Sequence, residues 1–201
     1  MCGIAGWFNA PPDSGRLKQM LESIQHRGPE GVGVYETDLL SFGNTRLAFV
    51  DIAAGQQPLC NENGSIWLTC NGEIFNHAEL HNKLSSRHRF RTRCDVEVII
   101  HLYEEHGTEG FRHLNGQYAF ALWDATKQQF LLCRDRLGIC PLYFTRAGNA
   151  LYFASEIKAI LSIPTIRREL DFDTLHDIWT FWNPVSDRKS TRLNSSHLAE
   201  S

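Results

Sequence analysis

A chain of 201 residues with 42% hydrophobic and 21% charged side chains can build one core, or at most a domain and a half. Its net charge of −3, without a long basic run, argues against nucleic acid as a principal partner. No apolar run reaches the ~18 residues of a membrane span and no signal peptide opens the chain, so a cytoplasmic protein without a membrane partner is expected.

In chain order, residues 3–8 form a short apolar, glycine-punctuated run that reads as a buried strand. Leu17, Met20, Leu21 and Ile24 recur at i, i+3, i+4 and i+7, one face of a helix that Asp13 or Ser14 can cap and Gly28-Pro29 stops. Val32–Val34, Leu39–Phe42, Arg46–Val50 and Ile66–Cys70 read as strands, and His77–Leu84 as a short helix. Val96, Ile99, Ile100 and Tyr103 make a second amphipathic face, ended by Gly107. Gln117–Asp124 with Gln129–Cys133, and Leu142–Phe144 with Leu151–Ala154 through Gly148-Asn149, read as hairpins. Leu170–Trp182 reads as a final helix. Helices cluster in the middle and strands flank them, which predicts α+β with antiparallel sheets.

Six cysteines stand at 2, 60, 70, 94, 133 and 140. There is no C-x-x-C pair to open a zinc-finger motif, so no metal site is expected. Cys70 and Cys133 lie in apolar runs and read as small buried hydrophobes. Cys2 is different. Removal of Met1 would give it a thiol and a free α-amine on one residue, with ordinary pKa values near ~8.5 and ~8. Such an amine can serve as base to its own nucleophile.

Four further segments carry candidate chemistry. His26-Arg27-Gly28-Pro29-Glu30-Gly31 is a sharp loop after a helix, and alone it could be a helix stop. Arg46 sits in an apolar run, where a guanidinium requires a protein carboxylate or an anionic ligand. Asn71-Gly72 after a strand is by default a turn. The functional alternative is an oxyanion hole made by the Asn71 amide and the Gly72 N–H, with Glu73 gripping an ammonium group. Asp95, opening the 96–106 helix, could be its N-cap or could bind a substrate α-ammonium.

Together, C-G-I-x-G, H-R-G-P, R-L, G-x-Q-P-L, N-G-E-I-F-N, D-x-E-V-I, R-D-x-x-G-x-x-P-L-Y and F-A-S-E-I-K-A resemble the glutaminase domain of class II glutamine amidotransferases, the N-terminal-nucleophile hydrolases. R-G-P with N-G-E-I-x-N is most similar to the glutamine-dependent asparagine synthetase branch. The resemblance covers about residues 2–186. It implies a four-layer αββα sandwich of two antiparallel sheets and hydrolysis of glutamine through a Cys2 thioester. It assigns Cys2 as nucleophile and Asn71 and Gly72 as the oxyanion hole. It gives Arg46 the glutamine α-carboxylate, and Glu73 and Asp95 its α-ammonium.

The implied partners are L-glutamine and a linked synthetase domain, and a homodimer is admitted but not required. No cofactor is implied here, since ATP and Mg²⁺ belong to the synthetase half and its S-G-G-x-D-S loop is absent. Another acceptor (a sugar, a peptide or a secondary metabolite) and a degenerate glutamine-binding regulatory domain stay open. Glu30, Phe75 and Cys94 depart from the family pattern, and Cys94 matters most because a thiol is a weak donor beside Asp95.

The expected domain is residues 1–186, with 166–186 as the start of a linker. Residues 187–201 have no apolar period, and 187–197 resemble the in-frame translation of a sequencing-library adapter. The expectation is a non-native tail.

Overall fold

The computed structural model describes residues 1–47, 55–169, 172–181 and 198–200. Among these residues there are two five-stranded sheets in which every pairing is antiparallel. In the first, the order is β2 (Gly31–Glu36), β3 (Leu40–Arg46), β1 (Gly3–Phe8), β9 (Ala150–Ala154) and β8 (Tyr143–Ala147). In the second it is β10 (Leu198–Glu200), β7 (Gln129–Arg134), β6 (Gly116–Asp124), β5 (Ile66–Ile74) and β4 (Leu59–Cys60).

Strand alternation sorts the side chains into layers. Ile4, Phe42, Ala119, Ala121, Phe130 and Phe153 point between the sheets and form a central core. Ala5 and Trp7, one residue out of phase on β1, pack instead against Leu17, Met20 and Leu21 of α1 (Ser14–Ser23) and Ile160 of α4 (Ile157–Leu161). On the second sheet, Leu68, Cys70 and Phe120 pack against Leu80 and Leu84 of α2 (His77–Leu84) and Ile99 and Tyr103 of α3 (Val98–His106). Helices thus cover both outer faces, which is the expected αββα sandwich.

Local signals account for the boundaries. The Asp13 carboxylate accepts from Arg16 N at 3.0 Å and caps α1. Gly107, at φ +59°, ends α3, and Gly148, at φ +61°, turns the β8–β9 hairpin. Three readings change. The expected strands Leu39–Phe42 and Arg46–Val50 merge from Leu40 to Arg46 into one strand, β3, because Gly43-Asn44-Thr45 pairs with β1 throughout; residues 48–50 lie outside the described residues. β5 runs on to Ile74, so Asn71-Gly72 is no turn. The short β4 and α4 carry too little periodicity to be read.

The final helix is α5 (Phe172–Phe181), while the expected boundary at residue 186 lies outside the described residues. Of the expected tail, residues 198–200 pair with β7. Backbone pairing to a sheet edge requires no side-chain pattern, so periodicity gave no warning of it.

Candidate active site

A cavity of about 430 Å³ opens at one end of the sandwich, where the start of β1 and the end of β3 face the end of β5. All six residues singled out in the sequence (Cys2, Arg46, Asn71, Gly72, Glu73 and Asp95) line it.

Cys2 precedes β1 and is held from both sides. Leu47 N donates to its Sγ at 3.5 Å, and Arg27 Nε donates to its carbonyl at 3.0 Å. Arg27 is fixed in turn by Glu156 at 3.2 Å, which also meets His26 Nε2 at 2.8 Å. Burial favours the neutral form of Glu156. Hydrogen bonds from Lys158, Arg27 and His26 reverse this, and its pKa falls below the ordinary value. Ser155 pins β1 by accepting from Ile4 N at 2.9 Å. Gly28 is required because a Cβ there would lie 2.4 Å from the Arg46 carbonyl carbon. H-R-G-P and F-A-S-E-I-K-A are therefore one clamp on the Cys2 backbone. Reading the sequence recorded both strings but gave neither this role, because 129 residues separate Arg27 from Glu156.

Two other thiols reach the cavity wall. Burial and the nearby Asp95 push Cys94 up to about 12, and burial and Asp135 push Cys140 up to about 11. Both remain thiols at neutral pH, which leaves Cys2 as the candidate nucleophile in the cavity. Met1 also lines the cavity. While it is attached, the nitrogen of Cys2 is a peptide amide and cannot act as a base.

The outer edge of β5 builds the other half of the site. Leu68 pairs with β4 there. Beyond β4, Cys70 N donates to Gln57 Oε1 at 2.6 Å and Ile74 N to Asp95 Oδ2 at 2.7 Å. Strand alternation points the Gly72 N–H out of the same edge, between these two, into the cavity. Gly72 also permits the close approach of β6, since a Cβ would sit 2.3 Å from Gln117 O. Beside it Asn71 is fully buried, and neither its amide nitrogen nor its amide oxygen has a partner. Buried amides are nearly always satisfied, so a bare one facing a cavity points to a ligand. The sequence showed Gln57 only as part of G-x-Q-P-L, with no role, although it carries the ladder past the end of β4 and leaves this window open.

Asp95 is buried, but it is not a helix N-cap. It opens a turn of 3-10 helix, Asp95–Glu97, whose cap position is Cys94, and its Oδ2 is taken by Ile74. Thr92 and Glu97 satisfy the turn instead: Thr92 Oγ1 accepts from Cys94 N at 3.0 Å, and Glu97 accepts from the amides of Arg91 and Thr92. The Cys94 thiol lies 3.8 Å from Asp95 Oδ1 as a weak donor, so the departure at Cys94 keeps a contact with Asp95. Arg46, buried at the end of β3, and Glu73, exposed at the rim, complete a wall of one cation and two carboxylates. That is the complement of a zwitterionic amino acid.

The glutamine amidotransferase domain family matches residues 1–198. The chain belongs to this family. The domain is 41% identical to asparagine synthetase [glutamine-hydrolyzing] 2 of Bacillus subtilis, over 95% of this chain and 26% of that protein. It is 39% identical to asparagine synthetase B of Escherichia coli, over 90% of this chain and 33% of that one. The chain thus spans about a quarter to a third of the length of the curated relatives it matches. Among solved structures it is similar to the glutamine phosphoribosylpyrophosphate amidotransferase of B. subtilis, with a TM-score of 0.70 and 26% identity over 85% of this chain and 45% of that one.

Proposed function

We propose that this domain hydrolyses the side-chain amide of L-glutamine, and that the ammonia serves ATP-dependent asparagine synthesis by a linked synthetase domain. The reading rests on the bare Asn71 amide and the open Gly72 N–H in one cavity with Cys2. With Met1 removed, the α-amine takes the thiol proton and the thiolate attacks the amide carbon. The new C–S bond converts the carbonyl into an oxyanion, which accepts from Asn71 Nδ2 and Gly72 N. The amine then returns its proton to the leaving nitrogen, ammonia departs, and a γ-glutamyl thioester remains. Water adds to the thioester, giving glutamate and free thiol. Arg46 holds the α-carboxylate, and Glu73 and Asp95 hold the α-ammonium.

The higher identity to asparagine synthetases favours asparagine as product over the phosphoribosylpyrophosphate in the name of the structural relative. ATP and Mg²⁺ would belong to the synthetase domain.

A diazoketone analogue of glutamine tests the nucleophile. It should add one equivalent per chain, mapped by mass spectrometry to Cys2, and only after Met1 is removed. Labelling elsewhere, or equal labelling with an uncleavable N-terminal tag, would overturn the assignment.

A further inference from the structure

Away from the cavity, three segments bring four ligating side chains together. Glu62 lies in the β4–β5 turn, His88 in the segment after α2, and His101 and Glu104 one turn apart on α3. One ligating atom from each lies within 4.8 Å of the others. His101 Nδ1 is 2.7 Å from Glu104 Oε2, His88 Nδ1 is 3.3 Å from the same oxygen, and His88 Nδ1 is 3.9 Å from Glu62 Oε1. Four donors about 2.0–2.2 Å from a tetrahedral ion stand about 3.3–3.6 Å apart. Shifts of up to about an ångström would close this set around one ion.

A second and independent observation is the outer layer of contacts. His88 turns Nδ1 inward, while its Nε2 meets Glu105 Oε1 at 2.9 Å; that carboxylate is held by Arg87 at 2.6 Å. His101 is 1% exposed, and its Nε2 faces Glu97 at 3.9 Å without a hydrogen-bond partner. Glu104 keeps its other oxygen on Asn61 Nδ2 at 2.8 Å, and Glu62 accepts from Arg89 N at 2.7 Å. Carboxylates behind ligating imidazoles, and hydrogen bonds behind ligating carboxylates, are what orients ligands toward a metal. The rings of His88 and His101 stack at 4.7 Å, so both present the same edge to the carboxylates.

We propose that Glu62, His88, His101 and Glu104 bind one divalent transition ion, Zn²⁺ by preference, as a structural site. Two imidazoles with two carboxylates suit Zn²⁺, whereas Ca²⁺ and Mg²⁺ select all-oxygen sets. The spacing rule applied to the sequence looks for ligand pairs in fixed short motifs, and a site drawn from three segments escapes it. The ion would tie the β4–β5 turn and the segment after α2 to α3, next to the turn that presents Asp95.

The ion must compete with a proton. Burial opposes the charged form of His101, but the nearby Glu104 and Glu97 carboxylates outweigh it and raise its pKa to about 9.

The test uses the whole chain, freed of metal by chelator dialysis and titrated with Co²⁺ and then Zn²⁺. The expected result is one Co²⁺ per chain with the visible ligand-field bands of a tetrahedral site and no thiolate charge-transfer band. Zn²⁺ should displace it and raise Tm. Glu62→Gln and His88→Ala should each weaken Co²⁺ binding at least about tenfold. Glu62 is 36% exposed, so Glu62→Gln keeps the test valid if His88→Ala fails to fold. Absence of stoichiometric binding, a thiolate band, or unchanged affinity in folded Glu62→Gln would overturn the proposal.

Discussion

At the scale of single residues, the site is marked by what it leaves unsatisfied. An unpaired buried amide costs about 1–3 kcal/mol, and Asn71 carries one with both atoms bare. Asn71→Leu should therefore leave the Tm of the ligand-free protein unchanged or raised. The same change removes an oxyanion donor and should lower kcat for glutamine hydrolysis about 10²–10³-fold. A fall in Tm with little loss of kcat would make Asn71 structural.

Asp135 is the opposite case. It accepts from the amides of Tyr118, Leu137, Ile139 and Cys140, shaping the loop that carries Cys140 to the cavity wall. Burial raises its pKa, but these donors outweigh burial and hold it below the ordinary value. A depressed folded pKa contributes stability above the unfolded value of ~3.9, and that stability is lost as pH falls through the folded value. Asp135→Asn should be less stable than wild type at pH 7, and the gap in denaturant midpoint should close as pH drops below about 4. A gap that is constant with pH would exclude the carboxylate as its source.

At the scale of elements, β5 decides whether there is a site at all. Its outer edge is paired by β4, then by Gln57, then left open at Gly72, then closed by Asp95. Gly72→Ala would set a Cβ 2.3 Å from Gln117 O and 2.6 Å from Tyr118 Cα, pushing β5 from β6. It should cost about 1–3 kcal/mol in denaturant unfolding. Glutamine hydrolysis should fall further than stability does, because the N–H moves with the strand. Equal stability and activity would mean that β5 and β6 are not held in this register.

The same strand shows what was legible in the sequence. The apolar run 66–70 announced a strand, and Asn71-Gly72 read by itself is a turn. What carries the strand four residues further is β6, with Asn71 opposite Ala119 and Gly72 opposite Tyr118, a long-range pairing that no local window contains. Cys2, Arg46, Asn71, Gly72, Glu73 and Asp95 could be named from their segments because each segment is unusual where it stands. The Arg27–Glu156 clamp and the role of Gln57 could not be read this way. Their roles arise only when distant segments meet.

At the scale of the whole molecule, the division of labour is between the sheets. The first sheet supplies Cys2 and Arg46 and the second supplies Asn71, Gly72 and Glu73, with Asp95 reaching in from the turn before α3. The cavity lies toward the β5 side of its sheet, while β10 joins the opposite edge beyond β7. Two strands, β7 and β6, therefore separate residues 198–200 from β5. Truncation after Ser186 should change kcat/KM for glutamine by less than about threefold, or about 0.7 kcal/mol. Its cost should appear instead as association through the uncovered β7 edge, read by sedimentation velocity. With or without those residues, the chain alone should release ammonia from glutamine and form no asparagine from ATP and aspartate, since all six site residues precede residue 96 and no S-G-G-x-D-S loop is present. A large loss of hydrolysis on truncation would show that β10 holds the second sheet in its active register. ATP-dependent asparagine formation by the chain alone would place a nucleotide site within residues assigned here to glutamine hydrolysis.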